Sequence, residues 1–292
     1  MSVESVAQVL ASGLLMGLIY ALIAAGLSLI FGLMDIVNFA HGEFLMTAMY
    51  LTFGLHVLLT LDPLALLPVV AALMFLLGVL VYRTAIRRAM QAKTSVWMAQ
   101  IFVTFGLAIM MRGLAQLIFT PEYRSIRHHW LSERSVNLLG VYLSLPQLAA
   151  AGVCLLGFLG LYLLIARTDF GRALEATRED KEAVALVGIN RDLIFALGWG
   201  IGGAVVGIAG VMLATFYYIY PGVGANFALV AFITVALGGF GSLGGALLGG
   251  VIIGLVEAVT AMLVEPSLKS IGIYAVYMLV VLLRPRGLFG YL

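Results

Sequence analysis

Asp35, Asn38, His41 and Glu43 fall within nine positions, between two long apolar runs, and Arg112 and Glu257 sit inside or at the edge of others. His41 beside Glu43 invites a metal or proton-relay reading, but one histidine and one carboxylate fall short of the three or four ligands a zinc site needs. Ser28, Ser242 and the four histidines form no nucleophile motif, and the chain has no Gly-x-x-x-x-Gly-Lys-Ser/Thr loop to cradle a phosphate. An active site assembled inside the membrane from distant helices would leave no such motif, and would require turnover by the isolated chain. A charge at mid-bilayer costs about 3 kcal/mol on insertion scales, so Glu43, Arg112 and Glu257 must face a cavity, a partner or an interface. Arg112 is expected to reach the interface by its long stem.

Positioning these groups falls to helices. Of 292 residues 63% are hydrophobic and only 10% charged, against roughly 25% charged in a soluble domain, and the mean hydropathy is +1.13. This is a membrane protein, and a net charge of +2 with its bases in short loops excludes a nucleic-acid partner. Cys154 lies in an apolar run and reads as a small buried hydrophobe. Met1-Ser2-Val3-Glu4 carries no base, unlike a cleaved signal, so the first segment is expected to stay.

Runs long enough to span are 6–33, 64–82, 96–119, 138–166 and 193–218, then a Gly-rich stretch 227–264 and a last run 271–283. The run 36–59 starts with polar residues. The fold class expected is all-α, a single polytopic transmembrane domain over 1–292 with eight or nine segments, some broken or re-entrant. Arg83, Arg87, Arg88 and Lys93, then Arg167 to Arg191, then Arg284 and Arg286 mark three cytoplasmic loops by the positive-inside rule, which places the N-terminus outside unless 36–59 re-enters.

Asp35 or Asn38 can cap a helix starting near Phe39. Two readings stand: a break bordering the translocation path with Asn38, His41 and Glu43 as lining, or a capped interfacial turn. Asn226-Phe227 echoes Asn38-Phe39 after a second break at Pro221-Gly222, as an inverted repeat would require. Asn226 and Glu257 complete the path candidates. The glycines of 238–250 suit close helix packing.

The most polar segment is 167–192, where residues 173–187 are good helix formers, with Ala176, Ala183, Val184 and Val187 on one face and Gly188 as a stop. It is either a solvated connector or a docking helix for a cytoplasmic partner. Here a resemblance enters. Glu182-Ala183-Val184-Ala185-Leu186-Val187-Gly188 is similar to the Glu-Ala-Ala-x-x-x-Gly loop of ABC importer permeases, with Val184 in place of the second Ala. Gly17-Leu18-Ile19-Tyr20-Ala21-Leu22, Gly26 to Gly32, Ile36 to Phe44, Arg172 to Asp180 and Leu237 to Ala246 resemble the branched-chain amino acid ABC permease family, LivH-type. The resemblance implies a bacterial inner-membrane permease half without enzymatic activity or a cofactor of its own. It implies a second related permease subunit, two cytoplasmic ATPases carrying ATP-Mg, an extracytoplasmic substrate-binding protein and surrounding lipid. Coupling to the ATPases then falls to Glu175, Arg178, Glu182, Ala183 and Gly188. Urea, a short amide or another amino acid is the nearest alternative substrate, and an ion-coupled secondary carrier the alternative mechanism.

Overall fold

A computed structural model describes residues 3–35, 37–92, 95–127, 129–132, 134–138, 140–180, 182–264, 266–284 and 286–289. The sequence expectations that fall on Met1, Ser2, Ile36, Lys93 and Lys181 lie outside the described residues. Helix α1 (Val3–Met34) is followed by α2 (His41–Leu59) and α3 (Pro63–Val81), which runs through a π-helical stretch into α4 (Arg87–Met90). Then come α5 (Val96–Phe119), a hairpin of β1 (Ser135–Leu138) and β2 (Val141–Ser144), and α6 (Leu145–Arg167). The polar α7 (Asp169–Glu179) and α8 (Ala183–Leu186) precede α9 (Arg191–Leu213), α10 (Val223–Gly238), α11 (Leu243–Leu263) and α12 (Lys269–Leu283).

Among the described residues eight helices are long and apolar enough to cross a membrane. The ninth passage is α10, whose 16 residues rise about 24 Å, short of a hydrocarbon core of about 30 Å. It starts inside the bundle, where Gly224 meets Gly42, and together with the turn before it joins the two ends. Its start follows the Tyr220 turn beside Ile219, which pairs with Arg124 of the α5–β1 connection. Its end meets the C-terminal segment, where Leu288 and Phe289 N–H donate to the Leu237 and Gly238 carbonyls.

Local chemistry sets most boundaries. Asp62 caps α3 by accepting from Leu64 N–H at 2.9 Å, ahead of Pro63 at the first helical position. Ser95, Asn190 and Ser242 cap α5, α9 and α11 in the same way. The expected run from 138 is corrected: its first residues are hairpin, because Asn137 accepts from Gly140 N–H in a turn with Gly140 at φ +89°, and α6 starts only at Leu145-Pro146.

The core centres on α1 and α9, the two most buried spans, with α11 against α1 and α3 against α9. Glycines permit these approaches. Gly238 and Gly245 touch backbone to backbone at the α10–α11 crossing, Gly250 sits on Ala21, and Gly254 on Gly13 and Gly17. Without a hydrophobic drive between helices in lipid, this intimacy supplies the packing energy.

The three basic loops share one end. Arg87 pairs with Asp192 at 2.9 Å, the Arg178 guanidinium lies against Gly241, and Gly287 lies on Gly239. At the opposite end Asp62 accepts from Trp130 N–H and His129 bonds the Thr215 carbonyl.

Candidate functional site

On the basic end, α7 is seated by Leu174 and Thr177, with Thr168 capping it through Gly171 N–H. The single helix expected over 173–187 is corrected to two. Asp180 interrupts it: its Oδ1 accepts from Glu182 and Ala183 N–H at 2.8 and 2.9 Å and so starts α8 afresh. Those two donors hold the Asp180 carboxyl below the usual carboxylate range. Val184 turns inward while Leu186 and Val187 stand 89% and 74% exposed on a water-side loop. Gly188 ends the turn at φ +82°, a conformation that favours glycine, with open space where a side chain would project.

The coupling candidates divide accordingly. Glu182, Ala183 and Gly188 face solvent around the Leu186-Val187 knob. Glu175 and Arg178 instead line a cleft of about 310 Å³ between α7 and the inner ends of α1, α6 and α11, with Ser28, Tyr162 and Ser242. One group stands on the exposed turn, the other on the face of α7 that borders the bundle.

The second cluster begins at the break after α1. Asp35 adopts φ +56°, and Asn38 Oδ1 accepts from Ala40 N–H at 3.1 Å, so α2 starts at His41 rather than Phe39. Depth follows from α5, which runs alongside. Val37 accepts from Thr104, about 12 Å along α5 from Val96, and Glu43 meets Arg112 about 24 Å along it. The break therefore lies within the bundle, alongside α5 between Thr104 and Arg112. His41 is buried, and its Nε2 lies 2.9 Å from the Ile23 carbonyl, which can only accept, so this nitrogen carries the proton.

Arg112 corrects another expectation. It turns into the protein and ion-pairs with buried Glu43 rather than snorkelling away. The other Glu43 oxygen finds no hydrogen bond among the described residues and points at Gly224 near the start of α10. A side chain at Gly42 would collide with the Gly224 backbone, so α2 and α10 cross glycine on glycine, and Phe39 packs on Phe232. The two breaks thus meet, although Asn226 lies inside α10 and Asn38 ahead of α2.

Asn226 and Glu257 share a different surface, toward the hairpin end. Glu257 Oε2 accepts from the Tyr20 hydroxyl at 2.6 Å, and Oε1 from Lys269 Nζ at 2.6 Å. These side chains, with Tyr217, wall two adjoining cavities. One, of about 180 Å³, adds Asn226, Phe227, Ile233 and Tyr274; the other, of about 340 Å³, opens toward Met16 and Gly254. Asn38, His41 and Glu43 line neither.

The sequence profile of the family described as branched-chain amino acid transport system, permease component, matches residues 9–282. This chain belongs to that family. The permease is 33% identical to the high-affinity branched-chain amino acid transport system permease protein BraD of Pseudomonas aeruginosa, over 97% of this chain and 95% of the relative. It is 30% identical to LivH of Escherichia coli K12 over the same shares, and 27% identical over 81% of the chain to a probable LivH of Methanocaldococcus jannaschii, 75% of which is covered. No solved structure matches the permease.

Three residues of this geometry escaped the sequence reading. Lys269 stands two positions ahead of the last apolar run and Tyr20 sits in the N-terminal motif, but only tertiary folding brings them, from 12 and 237 positions away in sequence, to Glu257. Asp180, by contrast, carried a local signal: an Asx residue three positions ahead of a helix start.

Proposed function

We propose that the permease forms one membrane-spanning half of an ATP-driven importer of branched-chain amino acids. It pairs with a second, related permease subunit, receives substrate from an extracytoplasmic binding protein, and is driven by two cytoplasmic ATPases that carry ATP-Mg. It is a multi-pass protein of the bacterial inner membrane, and performs no reaction itself.

One observation carries the partner claim beyond family membership: Leu186 and Val187 are exposed on a polar loop outside the apolar spans. Apolar side chains held in water at the tip of a capped turn are arranged for a groove on another protein. Their movement would reach the bundle through Leu174 and Thr177, buried under α7, and through Glu175 and Arg178 in the cleft beside α11. Alternating access then follows from helices sliding on glycine faces at the Gly42–Gly224 and Gly238–Gly245 crossings.

A self-sufficient proton-coupled carrier is supported less well, because its two candidate carboxylates are engaged, Glu43 by Arg112 and Glu257 by Lys269. The test is co-purification from the native membrane with Glu182→Lys and Gly188→Trp alongside. ATPases and a second permease should accompany the wild type and be lost from both variants, while a chain that purifies alone would sink the importer.

A further inference from the structure

Glu257 and Lys269 make an odd structural ion pair. The carboxylate is buried and fixed from both sides, yet the ammonium is half exposed, and both charges line the same cavity. A carboxylate has about four acceptor positions, and Tyr20 and Lys269 occupy two of them. An ammonium has three donors, and Glu257 takes one. Each charge therefore keeps capacity toward the cavity. The rest of the wall is divided: Phe227, Leu229, Val230, Ile233 and Ile273 from α10 and α12 give it an apolar side, and tyrosines with Asn226 and Ser270 a polar one. Two opposite charges beside an apolar side of one chamber match a molecule with two opposite charges at one end and an apolar tail.

We propose that this cavity binds the substrate itself, an apolar α-amino acid in its zwitterionic form, with the ammonium on Glu257, the carboxylate on Lys269 and the side chain against the α10–α12 wall. The site rests on the importer reading above and adds to it a selectivity filter within the permease, at the end where substrate enters. Charge balance is the reason for the zwitterion. Bringing a lone amine or a lone acid against a half-buried pair leaves one extra charge uncompensated, whereas a zwitterion adds none and completes a ring of alternating charges. Tyr20 positions the Glu257 carboxylate by holding its second oxygen, and Asn226 and Ser270 stand on the same wall.

The test uses the permease assembly purified from its native membrane, nucleotide-free and without binding protein, and measures displacement of radiolabelled leucine by leucine, leucinamide and 4-methylpentanoate. ATP-driven leucine uptake by the full transporter is assayed in parallel. Wild type should prefer leucine to both analogues by about tenfold to a hundredfold, the worth of one charge-assisted hydrogen bond. Lys269→Met should erase the preference over leucinamide alone, and Glu257→Gln the preference over 4-methylpentanoate alone. The exchange variant Glu257→Lys with Lys269→Glu restores an ion pair but reverses its direction, so the preference for leucine over the two analogues should not return. Rescue by that exchange, or variants that lower all three ligands alike, would reduce the pair to a helix clasp and overturn the site. Leucine uptake with no leucine bound by the permease overturns the site while leaving the importer standing; absence of amino-acid uptake by the wild type overturns both.

Discussion

Removing Arg112 alone should be worse than removing the Arg112–Glu43 pair together. Arg112→Met strands a buried carboxylate whose other oxygen already lacks a partner among the described residues, and the expected loss is about 3 kcal/mol, the lower end for a buried pair because Arg112 is half exposed. Adding Glu43→Gln should recover most of it, as read by thermal unfolding of the detergent-solubilised chain. Equal destabilisation by the single and double variants would show that the arginine acts through packing and not charge. The same reasoning explains why Glu43 could be singled out in the sequence as needing a partner but Arg112 could not be named as that partner. Burial costs follow from residue type, whereas the 69 positions between the two are bridged only by α2 lying along α5.

Helix crossings make a sharper distinction between neighbouring residues than composition does. Gly244 and Gly245 are adjacent at the start of α11, yet a side chain at Gly244 meets nothing while one at Gly245 runs into the Gly238 backbone. Gly245→Ala should therefore cost about 1 to 3 kcal/mol by forcing α10 from α11, and Gly244→Ala should leave the melting temperature unchanged or slightly raised, as helix propensity favours alanine. Thermal melts of the two variants decide it, and matching shifts would refute the close crossing. In the sequence both glycines read equally as part of a small-residue stretch. Helical phase alone separates the one that faces α10.

At the scale of the whole molecule, α10 decides the topology. With α10 as a ninth passage and the N-terminus outside, the three basic loops lie together in the cytoplasm, in agreement with Arg87 on Asp192 and Arg178 on Gly241. The native Cys154 is fully buried, so single cysteines introduced at Asn137 and Arg286 can be probed with a membrane-impermeant maleimide. Label from outside should reach Asn137→Cys in intact cells and reach Arg286→Cys only after permeabilisation; outside labelling at both would mean that α10 turns back.

The apolar spans, the shared basic end and the exposed turn after α7 were written in local chemistry. Twenty-residue apolar runs, clusters of arginine, and Glu182 to Gly188 with its glycine stop are short-range patterns, and the physics they encode, hydration against lipid and the backbone freedom of glycine, acts where the residues stand. Even the errors there were local: a hairpin turn taken for helix at 138–144, and an aspartate that splits 173–187. Tertiary structure alone decided which charges meet. Glu257 with Tyr20 and Lys269, Glu43 with Arg112, and the crossing of the two broken helices at Gly42 and Gly224 depend on how α1, α2, α5, α10, α11 and α12 pack. A membrane chain states in its sequence that a charge must be compensated, but the compensating group arrives on another helix, and nothing in the spacing along the chain records that distance.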